Sequence, residues 1–431
     1  MASVSPSPGV TLELHKRETA GSGYWGHPGI CTVTFCEGDP NAAHAALRDR
    51  MLAVLTANPW AAGKLERKRL VHPIAASMTL ALVDEVLFLR KCAAVHRGAP
   101  YPQLVKAVAT NPALAVQSGD ATQKTRARVI KCVVVEPEVE GGEFAIIFSL
   151  SHVTADGHDY YTLFNQLVGA APVTASNPVR VAEYEAREPE WTGQKDFAWL
   201  SGGGLIKGML GGLCCGPKAQ WCAFMVDDEK VAAQKKAAAA TGNAASFVST
   251  NDVITSHFCR VARARVCMMV INMRNKVPSL ALTNANAGCY EMCLLLDEPN
   301  YDAPAGVRRC LSAGVPFTRQ TEATRPLPGV CGSCPMAFIT SWAKLPSGSG
   351  GVAPIDLPGV ARQVTPRDRR LHCSLVLRSC GVTRVSVRGA QNSSLSPQHC
   401  EPLTGPDKTS RPCGRANRRR CSICRAWTCP T

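Results

Sequence analysis

No window of the 431-residue chain holds about 18 consecutive uncharged apolar residues, so no transmembrane helix is expected. The most apolar candidate, residues 199–215, is broken by repeated glycine and by Lys207. No basic stretch followed by an apolar core opens the chain, so no secretory signal is expected either. A regular cysteine framework is missing too. The 21 cysteines are irregularly spaced, and the chain is far longer than a disulfide-stapled mini-protein. Free thiols in a reducing compartment follow, which makes a cytoplasmic location the expectation. Two Cys-x-x-Cys pairs, Cys331/Cys334 and Cys421/Cys424, have no histidine pair at zinc-site spacing. No metal site is expected.

Aromatic residues are nearly absent from one part of the chain. Between 346 and 431 there is a single aromatic, Trp427, against 14 basic and 4 acidic residues. That segment carries +10 of the net +15. Ser, Pro and Arg dominate it, and such a composition buries too little apolar surface to offset its ordering entropy. A basic, disordered tail is expected over 346–431. Without aromatic interleaving it makes no platform for single-stranded nucleic acid, so nucleic acid is not an expected partner. The body is only mildly basic, and the whole chain has the 45% apolar content of an ordinary soluble protein.

The length allows two or three domains. A loose polar arm is expected over 1–24, followed by a first domain over 25–190. Ile30 to Phe35 alternates like a strand, and Asn41 to Leu55 repeats its apolar residues at helical spacing after an Asp39-Pro40 start signal. Met78 to Lys91 reads as a further helix-like stretch. Val129 to Val135 and Phe144 to Leu150 read as a hairpin around Gly141-Gly142. The charged, glycine-rich stretch over 191–225 is expected to be a crossover. A second domain follows over 226–345, with a helix opened by Ser249-Thr250-Asn251-Asp252 and strands at Val266 to Asn272 and Tyr290 to Leu296.

The chemistry concentrates at Ser151-His152-Val153-Thr154-Ala155-Asp156-Gly157-His158. The Phe144 to Leu150 strand leads in, and a helix with Tyr161, Phe164, Leu167 and Val168 on its inner face leads out. A reactive side chain at a strand's carboxyl end, before a glycine turn, is common in α/β proteins. His152 is the candidate catalytic base, since histidine alone has an ordinary pKa near neutrality. The alternative is a satisfied structural histidine at a strand end. Asp156 reads as a helix N-cap, Gly157 as a turn residue or a point of close backbone approach, and His158 as a helix-start residue.

The H-x-x-x-D-G spacing formed by His152, Asp156 and Gly157 resembles the signature of the chloramphenicol acetyltransferase-like superfamily. That superfamily includes the CoA-dependent BAHD acyltransferases and the condensation domains of peptide synthetases. Asn272-Met273-Arg274 resembles the Asp/Asn-x-Arg element of BAHD-type enzymes. Ala287-Gly288-Cys289-Tyr290 resembles the Gly-Asn segment that follows it, with Cys289 where Asn is usual. The stretch Ser249 to Ser256 is similar to the opening of the second domain. The Asp-Phe-Gly-Trp-Gly element of plant BAHD enzymes is absent.

The resemblance implies an α/β fold of two layered domains, each a mixed sheet with helices, meeting at the active site. It implies acyl transfer from acyl-CoA, a co-substrate rather than a tightly bound cofactor, to a hydroxyl or amine of a small molecule. His152 would take the acceptor's proton directly, and Asp156 would pair with Arg274 to hold the loop. Two rivals stand beside this. A condensation-type enzyme would use a carrier-protein thioester, but usually has a second histidine where Ser151 stands. An inactive superfamily member would serve as a binding scaffold.

Overall fold

Phe144–Leu150 is buried at every position, and its side chains serve two layers in alternation. Ile146 and Phe148 pack with Leu47, Met51, Tyr160 and Phe164 on one face. Ala145 and Ile147 pack with Val108, Leu114, Val133 and Val135 on the other. This is how a continuous apolar run becomes a central strand between two layers.

The computed structural model describes residues 9–20, 24–136, 143–202, 205, 228–240, 247–319, 326–327 and 336–341. It also describes the backbone of strands at 220–226, 356–357, 361–363, 371–377 and 382–388. The chain divides into two compact units, Met1–Ser393 and Ser394–Thr431, and every described residue belongs to the first.

Strands are labelled in chain order. One mixed sheet runs Asp356–Leu357 (β12), Ala361–Gln363 (β13), Ile30–Gly38 (β2), Phe144–Leu150 (β7), Ile130–Glu136 (β6) and Leu87–Lys91 (β5). The expected hairpin is the antiparallel pair β6 and β7, with Val133 opposite Ile147. The second mixed sheet runs Glu291–Leu296 (β10), Val266–Asn272 (β9), Met336–Ser341 (β11), Val382–Arg388 (β15), Leu371–Leu377 (β14) and Gln220–Val226 (β8). Met269, Ile271, Met292 and Leu294 pack there with Phe258, Val307, Tyr184 and Trp191. A small sheet joins Val10–Glu13 (β1), Arg69–His72 (β4) and Lys64–Glu66 (β3). Helices Pro40–Ala57 and Gly157–Leu167 cover the first large sheet, and Thr250–Val261 and Pro304–Ser312 pack at the second. Among the described residues, no helix is long and apolar enough to cross a membrane.

Three differences from the sequence reading have clear causes. The stretch Met78 to Lys91 is not one helix. Leu80–Val83 is a single turn, and Leu87–Lys91 is a strand parallel to β6. Partnership with a neighbouring strand overrides a helical pattern this short. The N-terminal arm is not loose where it is described: β1 pairs with β4, and Glu18 is fully buried. Tyr184, expected in the first domain, and Trp191, expected in the crossover, both pack in the second core.

Four described strands, β12 to β15, lie within the segment expected to be a tail. β13 pairs with β2, while β15 pairs with β11 and β14 with β8. The sheets thus take in chain beyond the boundary drawn at 345. Cys331, Cys334, Cys421 and Cys424 lie outside the described residues.

Candidate active site

The buried strand ends at Leu150, and after Ser151 the chain turns so that His152 leaves the sheet with its side chain 19% exposed. The ring is oriented from within its own loop. Nδ1 lies 3.1 Å from the Ala155 carbonyl oxygen, an acceptor only, so Nδ1 carries the proton and Nε2 keeps a free lone pair. Tyr24 stacks edge-on against the ring at 4.9 Å between centroids.

The loop is held by Asp156. Its backbone is extended and its Oδ1 accepts from the N–H groups of His158 and Asp159, which caps the helix Gly157–Leu167. Gly157 therefore opens that helix. A positive-φ glycine of the site falls at Gly288, where φ is +143°. A Cβ at Gly288 would meet the Arg180 guanidinium at 3.0 Å, so the position accepts only glycine without strain.

Asp156 Oδ2 meets Arg274 at 2.7 Å, and both side chains are buried. The contact implied by the resemblance is present. Arg274 does more than pair with Asp156. Its Nε donates to Asn286 O at 2.8 Å, and its Nη2 donates to Gly288 O at 2.8 Å and to both oxygens of Asp159. A second arginine has the same habit. Arg180 binds Glu18 at 2.9 Å and donates to Ala287 O and to Thr154 O within the histidine loop.

Between these ion pairs runs Gly288-Cys289-Tyr290. Its three successive N–H groups donate to three carboxylates: Asp159 at 2.7 Å, Glu18 at 3.0 Å and Asp156 at 3.0 Å. Cys289 also donates its thiol to the His152 carbonyl oxygen at 3.1 Å. The segment is thus fastened to the loop that presents His152. Burial first, then neighbouring carboxylates, hold the Cys289 thiol well above its ordinary pKa, so it remains a donor.

The three buried carboxyls divide unequally. Burial drives Asp159 up to about 8, with Arg274 opposing the rise and Asp156 adding to it. Burial acts on Asp156 as well, but the Arg274 charge and the hydrogen bonds from Arg274 and the Tyr290 N–H outweigh it. The Asp156 pKa lies below the ordinary value. Arg180 does the same for Glu18. Of the three, Asp159 therefore holds its proton to the highest pH.

A stability effect follows from Asp159. Its folded pKa is raised, so the folded state holds a proton that the unfolded state loses above the ordinary aspartate value of about 3.9. The associated stability is full below that value and is lost as pH rises toward about 8. The slope from this group is at most about 1.4 kcal/mol per pH unit. Asp159→Asn should flatten the decline in melting temperature between pH 5 and 8, approximately the window set by those two values. A wild-type curve that rises through this window would contradict the assignment.

His158 is buried, with Nε2 3.1 Å from Asn284 O. Burial and the Arg274 charge lower its pKa, which leaves a neutral structural ring and no second base. Among the described residues no group of three or more His, Cys, Asp or Glu could hold a metal.

The structure also brings in residues that the sequence reading passed over. Glu291, the first residue of β10, has Oε1 3.9 Å from His152 Nε2. The same oxygen accepts from the Tyr24 hydroxyl at 3.0 Å. Arg17 donates to that hydroxyl at 2.9 Å and to the Glu291 carbonyl oxygen at 2.8 Å. Its own charge meets Glu188 at 3.2 Å.

No protein-family model matches the chain. No curated protein matches it either. Solved structures do. TRI101 of F. graminearum, solved with coenzyme A and deoxynivalenol, is similar with a TM-score of 0.52 and 13% identity over 86% of this chain and 95% of that one. Vinorine synthase has a TM-score of 0.48 and 15% identity over 80% and 81% of the two chains. The first condensation domain of the calcium-dependent antibiotic synthetase, solved with a substrate analogue, has a TM-score of 0.48 and 13% identity over 82% and 84%. The likeness to TRI101 shows the fold that the two chains share, built here on two mixed sheets covered by helices.

Proposed function

We propose that the protein transfers an acyl group from acyl-CoA to a hydroxyl or amine of a small molecule, with His152 as general base. The observation that carries this reading is the orientation of the His152 ring. Nδ1 is committed to Ala155 O, and the side chain bearing the free Nε2 lone pair is 19% exposed. The acceptor donates its proton to Nε2 while its oxygen or nitrogen attacks the thioester carbonyl. The carbon–sulfur bond then breaks, and the thiolate departs with the proton that His152 took. One imidazole serves both steps, and no acyl-enzyme forms. Asp156 and Arg274 act on the aim of the loop, not on protons.

The coenzyme A bound in TRI101 supports acyl-CoA as the co-substrate. The test is to incubate purified protein with a panel of acyl-CoAs and small alcohols and amines. Acceptor-dependent release of free thiol, with an acylated product seen by mass spectrometry, is the expected result. Thiol release that ignores the acceptor, or none for any pair, would overturn the reading.

A further inference from the structure

The position of Glu291 narrows the acceptor, given the acyl-transfer reading on which this inference rests. Its carboxylate stands 3.9 Å from His152 Nε2, too far for a mutual hydrogen bond. The two side chains are 18% and 19% exposed, so both can be reached from outside. Two acceptors, one of them anionic, thus face the space that an incoming nucleophile must enter. The carboxylate is held by Tyr24, whose hydroxyl donates to Oε1 at 3.0 Å. Burial keeps that phenol well above its ordinary pKa although Arg17 pulls the other way, so it remains a neutral donor. Arg17, which lies over the Tyr24 ring, already meets Glu188 at 3.2 Å and donates to the Glu291 carbonyl oxygen.

We propose that Glu291 and His152 together select a primary amine as acceptor. A nitrogen about 2.9 Å from each of two acceptors 3.9 Å apart subtends about 85° between them, so both N–H bonds stay within the usual angular range. An alcohol has one proton and can satisfy only one of the pair. The amine arrives as an ammonium ion, with one N–H on Glu291 and another on His152 Nε2. His152 takes that proton, and the freed lone pair attacks the thioester carbonyl. The carbon–sulfur bond breaks, and the imidazolium returns its proton to the thiolate. The proton shed by the new amide nitrogen passes to the Glu291 carboxylate and then to solvent. The products are an amide, CoA thiol and one released proton.

Amines outpace alcohols with thioesters even without help, so the informative quantity is a ratio. Acetyl-CoA would be assayed with tryptamine and with tryptophol, which differ only in the reacting group. The isosteric Glu291→Gln keeps the shape of the side chain but not its charge. It should lower the amine-to-alcohol ratio of kcat/KM at least tenfold. Tyr24→Phe, which frees the carboxylate from its hydroxyl, should shift the ratio the same way and provides a second readout. A ratio that stays within threefold of wild type in both variants would overturn the proposal while leaving acyl transfer intact. Absence of transfer to either acceptor, and to every member of the wider panel, would overturn the acyl-transfer reading and this inference with it.

Discussion

Arg274→Gln is expected to destabilise the protein by roughly 3–5 kcal/mol, the usual consequence of leaving a buried charge without its partner. Arg274 is fully buried and touches five residues on two stretches of chain: Asp156 and Asp159 beside the histidine loop, and Asn272, Asn286 and Gly288 beyond. A glutamine supplies two donors in place of five, so Asp156 or Asp159 keeps an unmatched charge or takes up a proton. Arg274→Lys should also be damaging. One ammonium cannot reach Asn286 O, Asp156 and Gly288 O together, whereas the planar fork does so from three nitrogens. Asp156→Asn should lose stability and activity together, since one of its two accepting oxygens becomes an NH2 group: with the oxygen kept on the helix cap, a donor faces Arg274 and the Tyr290 N–H. The double variant should fall short of the sum of the singles. Chemical denaturation of the four proteins measures this. Fully additive losses would show that the two side chains act independently.

What could be read from the sequence was local or continuous. Phe144 to Leu150 and Val266 to Asn272 have the boundaries read from sequence, because an apolar run in a two-sided core needs no partner to be recognised. The Asp156 cap was legible for the same reason: its donors lie two and three residues away. Arg274 was reached through the resemblance, not through any spacing. What escaped notice depends on distance along the chain. Glu18 and Arg180 are 162 residues apart, and Tyr24 and Glu291 are 267 apart. No periodicity connects such pairs, and a lone glutamate in a polar N-terminal stretch looks solvated. Gly157 opens the helix that its neighbour Asp156 caps in extended form. The helix-like Met78 to Lys91 failed because β6 recruits its second half as an edge strand.

Loss of the His152 imidazole should lower acyl transfer more than any other single change. For the proposed general base, the ring has a tautomer set by Ala155 O, a free Nε2 and a part-exposed face. Removing such a base typically lowers the rate about 100- to 10,000-fold. The fold should survive, because the ring contributes one loop hydrogen bond and an edge contact with Tyr24, while the loop is fastened by Asp156, Arg274 and Arg180. The most direct measurement compares wild type with His152→Ala, using one productive acyl-CoA and acceptor pair. It records kcat/KM from acceptor-dependent thiol release, and acyl-CoA affinity by calorimetry. The account predicts a fall of at least about 100-fold in kcat/KM with affinity and melting temperature nearly unchanged. Activity within tenfold of wild type in a folded His152→Ala protein would contradict it.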